Sequence, residues 1–254
     1  CRDELTAFRR ESNLPPMSGR VVLLLHGLGR SRTSMRPRGD YLQEHSELTS
    51  LEVTYATTRR TLKQHAESLA RVIGNLDPEV REINFVCHSL GNLVVRQYLH
   101  DYAQQHPGQP TDPRIRRMVM LGPPNRGAQF ATWVADQAVA KWLVGSVLGN
   151  LSENGDATPA SSLSIPAFEF GIIAGGKGDG EGLNPALKGD DDFVVTVEEA
   201  KLPGARDFVV VPIYHGIIMN DARVQRMTLN FLTRGFFISG PRRHPLPRAG
   251  DAGS

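Results

Sequence analysis

The chain has 254 residues, 40% of them hydrophobic, and a formal charge of +2 from 29 basic and 27 acidic residues. That length and apolar content support a sizeable core in one large domain or two small ones. The arginines are scattered and no Lys/Arg block tracks a phosphate backbone, which argues against a nucleic-acid partner; the longest aliphatic run, residues 21–25, is far too short to span a bilayer.

The chain starts at Cys1. Two readings are open. Cys1 is either the lipid-anchored first residue of a processed bacterial lipoprotein, secreted or membrane-anchored, or a fragment boundary, which leaves a cytoplasmic protein. Residues 1–19 read as an N-terminal extension. "RVVLLLHG" (20–27) is an apolar run ending in glycine, the pattern of a buried parallel strand. "LEVTYA" (51–56) predicts a second strand, followed by a helix through His65, Leu69, Val72, Ile73 and Leu76 that stops before Pro78. "INFVCH" (83–88) predicts a third strand and residues 90–106 a helix. "IRRMVMLG" (115–122), "AFEFGIIAG" (167–175) and "DFVVVPIYH" (207–215) predict three more strands, before a last helix near 221–233. Strands alternating with helices imply βαβ units: an α/β fold with a mostly parallel sheet and helices on both faces. The Pro- and Arg-rich 241–254 reads as a disordered tail after a single domain over 20–240.

Two stretches interrupt this rhythm. Residues 128–150 place Phe130, Trp133, Val134, Ala138, Trp142, Leu143 and Val147 on one helical stripe. That is either a crossover helix packed on the sheet or a small helical cap, spanning 128–165, whose Trp133 and Trp142 line an apolar pocket. The Gly/Asp-rich loop 175–192 is long for a compact domain and ends in Asp190, Asp191 and Asp192.

The chemistry concentrates at "FVCHSLGN" (85–92). A serine between a strand and a helix, flanked two residues away by the compact Cys87 and by Gly91, suits a sharp turn. There Ser89 projects its hydroxyl and the following amide faces the same space. Of the eight histidines, only His215 follows a late strand and precedes a helix. His26 lies at a strand end and His88 is flanked inside the Ser89 turn; His65, His100 and His106 lie on or just after helices, His45 in a polar loop and His244 in the tail.

"CHSLG" (87–91) resembles the nucleophile elbow of bacterial α/β-hydrolase esterases and lipases. "LLLHGLGRS" (23–31) resembles their oxyanion strand end, "LGPPNRGAQFA" (121–131) their post-elbow loop, "DDDFVVTVEEA" (190–200) their acid loop and "YHGIIMND" (214–221) their histidine segment. The resemblance covers about residues 20–234, with Ser, Asp and His in the order this fold uses. It implies an α/β-hydrolase fold and carboxylic ester hydrolysis without a cofactor or metal. Ser89 would be the nucleophile, Asp192 the acid and His215 the base, with the Leu28 and Leu90 amides as oxyanion hole. The substrate would be a small ester or lipid. Cys87 stands where the family has glycine, and so does Phe193 after the acid; aligning "DFVV" with "DGVV" selects Asp192 over its neighbours. A thioesterase, an acyltransferase, or a non-catalytic binding protein on the same fold would fit the same motifs. A third glycine is missing for a dinucleotide fingerprint, no phosphate loop occurs, and neither cysteine has metal-ligand spacing.

Overall fold

The computed structural model describes residue 11 and residues 17–57, 59–126 and 160–248. Their strands are β1 (Gly19–Leu25), β2 (Leu48–Val53), β3 (Val80–His88), β4 (Ile115–Leu121), β5 (Glu169–Gly176) and β6 (Asp207–Pro212). They form one parallel sheet in the order β2-β1-β3-β4-β5-β6. The helices are α1 (Arg36–His45), α2 (Leu62–Gly74), α3 (Leu90–Gln105), the single-turn α4 (Val197–Ala200) and α5 (Ala222–Arg234).

Side-chain alternation divides the core between the two faces of the sheet. Val21, Leu23, Leu25, Phe85, Cys87, Met118, Met120, Phe170 and Ile172 pack with Leu69 and Ile73 of α2 and Leu93 and Val94 of α3. Val22, Leu24, Val86, Val119, Leu121 and Ile173 face the other way, onto Leu42 of α1 and Val224, Phe231 and Leu232 of α5. Both faces are therefore covered, which is why the strands read as continuous apolar runs. The helices start on local signals. Thr61 and Gln64 form a reciprocal capping box at α2, and the Asp221 carboxylate accepts the Arg223 and Val224 amides at α5.

Three expectations shift. The second strand runs over Leu48–Val53, three residues earlier than its hydrophobic pattern suggests. It pairs with β1 in register from Arg20↔Leu48 to Leu25↔Val53, and pairing ends where β1 ends. Helix α1 was not anticipated, and His45 is its last residue rather than part of a loop. Its buried residues are Arg38, Gly39 and Leu42, so no apolar period announces it. The segment expected to be a disordered tail is held as far as 248: the His244 amide donates to Asp207 Oδ1 at 3.0 Å and the Leu246 amide to the Ala205 carbonyl at 2.9 Å. Cys1, the 128–150 stripe and its Trp133 and Trp142 lie outside the described residues.

The chain leaves β1 toward β2 on one side and returns through β3 on the other, so the order reverses between β1 and β3. Parallel sheets bind ligands outside the carboxyl ends of the strands at such a reversal. Leu28 follows β1 there, and Ser89 follows β3.

Cys87 lies one residue inside that end, fully buried on the face packed by α3, and burial pushes its thiol pKa well up. It is a small core residue. Urea denaturation should show Cys87→Ala destabilised by about 1–2 kcal/mol, and Cys87→Gly by more, since glycine also frees the unfolded backbone. In the native protein the thiol should resist Ellman's reagent at pH 8.

Candidate active site

Ser89 forms the whole junction between β3 and α3. Its φ of 50° and ψ of −120° are rare for a residue with a Cβ. The residue occupies the N-cap position of α3, yet its side chain makes no capping bond. Its amide donates to the Leu121 carbonyl at 3.0 Å, and its carbonyl accepts from Asn92 Nδ2 at 2.9 Å, so the turn is clamped from β4 and from α3. Gly91 permits the close packing the turn requires: a Cβ there would lie 2.8 Å from the Leu25 carbonyl oxygen. Leu90 begins α3, where its amide has no acceptor within the helix. Leu28 lies in the turn after β1, which is closed by the Arg30 amide on the Gly27 carbonyl and the Gly29 amide on Thr57 Oγ1.

The three adjacent aspartates have three different environments. Asp190 accepts the Lys177 and Gly178 amides at 2.6 and 2.8 Å, closing the glycine-rich loop. Asp191, fully buried, accepts the amides of Leu183, Asn184 and Phe193. Asp192 accepts the Val194 and Val195 amides on Oδ1, while Oδ2 accepts from His215 Nδ1 at 2.7 Å. The His215 amide donates to the Asp192 carbonyl at 2.9 Å, so backbone and ring are both fixed to the same residue. With Nδ1 donating to a carboxylate, Nε2 is left as the basic nitrogen.

Leu121 and Gly122 join these two parts. Leu121 holds Ser89, and Gly122, at φ 49°, backs directly onto the Asp192–His215 pair. A Cβ at Gly122 would lie 3.0 Å from His215 Nδ1 and 3.1 Å from Asp192 Oδ2. The Ser89 turn and the Asp192–His215 pair thus flank one dipeptide at the carboxyl end of the sheet, with no hydrogen bond between Ser89 and His215, and the turn after β1 lies beside Ser89. Among the described residues no cluster of three or more His, Cys, Asp or Glu could hold a metal ion, and no helix is long and apolar enough to cross a membrane.

Two buried arginines were not anticipated from sequence. Arg38 on α1 donates from Nη1 to Thr228 Oγ1 and the Val224 carbonyl, and from Nη2 to the Ile218 and Met219 carbonyls, tying α5 and the chain just after His215 to α1. Arg96 on α3 donates to the Asn125 carbonyl and Oδ1 and to the carbonyls of Leu163 and Ser164. It fastens the chain on both sides of residues 127–159. Burial lowers the guanidinium pKa values to about 9 and about 10, which keeps both charged at neutral pH. Nothing in the local sequence distinguishes them from surface arginines.

Three buried histidines underlie the site. His88 donates from Nε2 to the His215 carbonyl at 3.1 Å, and its ring lies 4.7 Å from that of His215. Its pKa is well below the usual imidazole value through burial and then through the neighbouring His215 charge. His26 stacks on Tyr55 at 4.3 Å, whose hydroxyl donates to the His26 carbonyl, and Tyr55 meets His65 edge-on at 5.1 Å. Burial lowers the pKa of His26 too, and burial followed by the charge of Arg60 takes His65 down to about 4.

The six-stranded parallel sheet with helices on both faces is an α/β fold that matches α/β-hydrolase structures. The product of gene lin2722 from Listeria innocua matches with a TM-score of 0.55 at 19% identity, over 85% of this chain and 95% of that one. The mature form of the Bacillus licheniformis lipase BlEst2 matches with a TM-score of 0.55 at 16% identity, over 87% and 94%. The metagenomic carboxyl esterase MGS0156 matches with a TM-score of 0.54 at 17% identity, over 78% and 65%. At these identities the likeness is one of fold. Residues 3–164 match the family model described as a domain of unknown function, DUF7379, and the chain belongs to that family. No curated protein matches it.

A buried histidine that cannot protonate in the native state binds a proton once unfolded. For His65 the native pKa lies below the ordinary 6.5, so its stabilising effect is complete above about pH 6.5 and is lost as pH falls from there toward 4. Urea unfolding across that range should show stability falling with acidification. His65→Leu should flatten the fall, and an unchanged slope in this variant would contradict the assignment.

Proposed function

We propose that the protein is a serine hydrolase that cleaves carboxylic esters through Ser89, His215 and Asp192. The observation that carries this reading is the Asp192–His215 hydrogen bond, backed by Gly122, one residue from the carbonyl that holds the Ser89 turn. The reaction follows from the chemistry of these groups. His215 Nε2 takes the Ser89 proton as Oγ attacks the ester carbonyl. Asp192, whose other oxygen is held by two amides, keeps the imidazole in the tautomer that leaves Nε2 free and stabilises the imidazolium that forms. The Leu90 amide at the start of α3 and the Leu28 amide in the turn after β1 stabilise the charge that develops on the carbonyl oxygen. His215 then returns its proton to the departing alkoxide. An acyl group remains on Ser89 until a water, activated by the same histidine, removes it.

The lipase and esterase names of similarly folded proteins accord with this reading, as does the order Ser, Asp, His along the chain. A fluorophosphonate probe should label Ser89 covalently, and Ser89→Ala should abolish both labelling and turnover of p-nitrophenyl esters while remaining folded. Labelling at another residue, or turnover that survives in Ser89→Ala, would overturn the proposal.

The acid makes a second test. Asp192→Asn should lower kcat by about a thousandfold or more with little loss of stability. Asp190→Asn should keep most activity, because Asp190 only closes the 177–190 loop. Asp191→Asn should act mainly on stability, since its buried carboxylate accepts three amides. Kinetics and thermal unfolding of the three variants separate these outcomes.

A further inference from the structure

Among the described residues only Ser89 and Phe193 carry a side chain on left-handed backbone. Ser89 is explained by its turn. Phe193, with φ of 86°, sits where a glycine would be relaxed and a Cβ is strained. The fold offers it little return. Its amide donates to Asp191 Oδ1 at 2.6 Å and its carbonyl accepts from Asn184 Nδ2 at 2.8 Å, and a glycine would make both bonds equally well. The residue is 47% exposed, so it is not retained for core packing.

Its surroundings suggest another use. The Phe193 ring lies 6.5 Å from that of Tyr214, which is 54% exposed, and Ile217, 55% exposed, follows in the same turn. These are three of the six large hydrophobic residues exposed among those described. All three adjoin the proposed triad in sequence: Phe193 follows Asp192, Tyr214 precedes His215 and Ile217 lies two residues beyond it. The Ile217 amide closes this turn on the Tyr214 carbonyl, and Arg30 Nη2 donates to the Gly216 carbonyl, so the patch is held against the loop after β1. Strain kept at an exposed aromatic beside reacting groups points to a role in binding.

We infer that Phe193 and Tyr214 form an aromatic subsite for an uncharged apolar chain of the substrate, with Phe193 a specificity-determining residue. The inference rests on the ester-hydrolase reading, which places an ester beside these rings.

The test compares the full chain with Phe193→Gly and Tyr214→Ser on methyl acetate, methyl octanoate and octyl acetate in a pH-stat. Phe193→Gly should raise the melting temperature by about 2–4 °C as the strain is released. It should also lower kcat/KM roughly tenfold for at least one of the octyl-length esters, mainly through KM, with methyl acetate little changed. Which long ester suffers tells whether the acyl or the alcohol chain lies on the rings, and Tyr214→Ser should weaken the same one. Equal losses on all three esters, no loss, or a lower melting temperature in Phe193→Gly would overturn the inference. Calorimetric titration with 2-undecanone and 3-decanone, unreactive ketone analogues of octyl acetate and methyl octanoate, in a Ser89→Ala background gives a readout independent of turnover. A Kd about tenfold weaker for at least one of the two with Phe193→Gly supports the subsite, and a Kd unchanged for both overturns it. Wild-type protein that hydrolyses no ester would sink the hydrolase reading, while the ketone titration would still decide the subsite.

Discussion

The structure turns on one backbone constraint: strand β3 must become helix α3 across a single residue. A chain can change from extended to helical that sharply only through a conformation sterically disfavoured for any residue with a Cβ, and Ser89 holds it. The cost is met by packing. Helix α3 is buried along its first ten residues, and the turn is tied to β4 by one hydrogen bond and to α3 by another. Because the helix follows at once, its first amide and the serine side chain share one end of the sheet. Because strands β1 and β3 are neighbours, the turn after β1 reaches the same place.

The remaining parts are positioned by satisfying buried polar groups. Isolated charges in such an interior would be costly. Each has instead been given backbone partners: Asp191 takes three amides, Asp192 takes two amides and a histidine, and Arg38 and Arg96 serve carbonyls on segments far away in sequence. These bonds do more than relieve burial. Arg38 fixes the chain after His215 against α1, and Asp191 shapes the loop that presents Asp192. A loop otherwise rich in glycine therefore carries a carboxylate with a defined direction.

How much of this was legible in the sequence follows from where the signals lie. The strands were readable because a sheet covered on both faces demands continuous apolar residues, as at Val21–Leu25. The edge strand β2 is only half-buried along most of its length, so its pattern misplaced it by three residues, and register against β1 set its true span. Helix α1 was hidden because its buried face includes Arg38, a residue that ordinarily signals solvent. The segment after 240 looked like a disordered tail from its composition, whereas the Asp207 carboxylate and the Ala205 carbonyl tether it.

By itself the sequence determined the alternation of strands and helices, the serine at a strand–helix junction and the chain order of serine, aspartate and histidine. Those features are local, or follow from the period of burial along one element. The alignment of "DFVV" with "DGVV" pointed to Asp192, but only the tertiary structure shows its carboxylate on His215 and those of Asp190 and Asp191 on backbone amides, since neighbouring carboxylates differ in nothing but the direction a folded loop gives them. It alone showed that Phe193 occupies backbone suited to glycine, and that Arg38 and Arg96 are interior struts. Each depends on partners brought together from distant parts of the chain, and such partners leave no periodic trace in the residues around them.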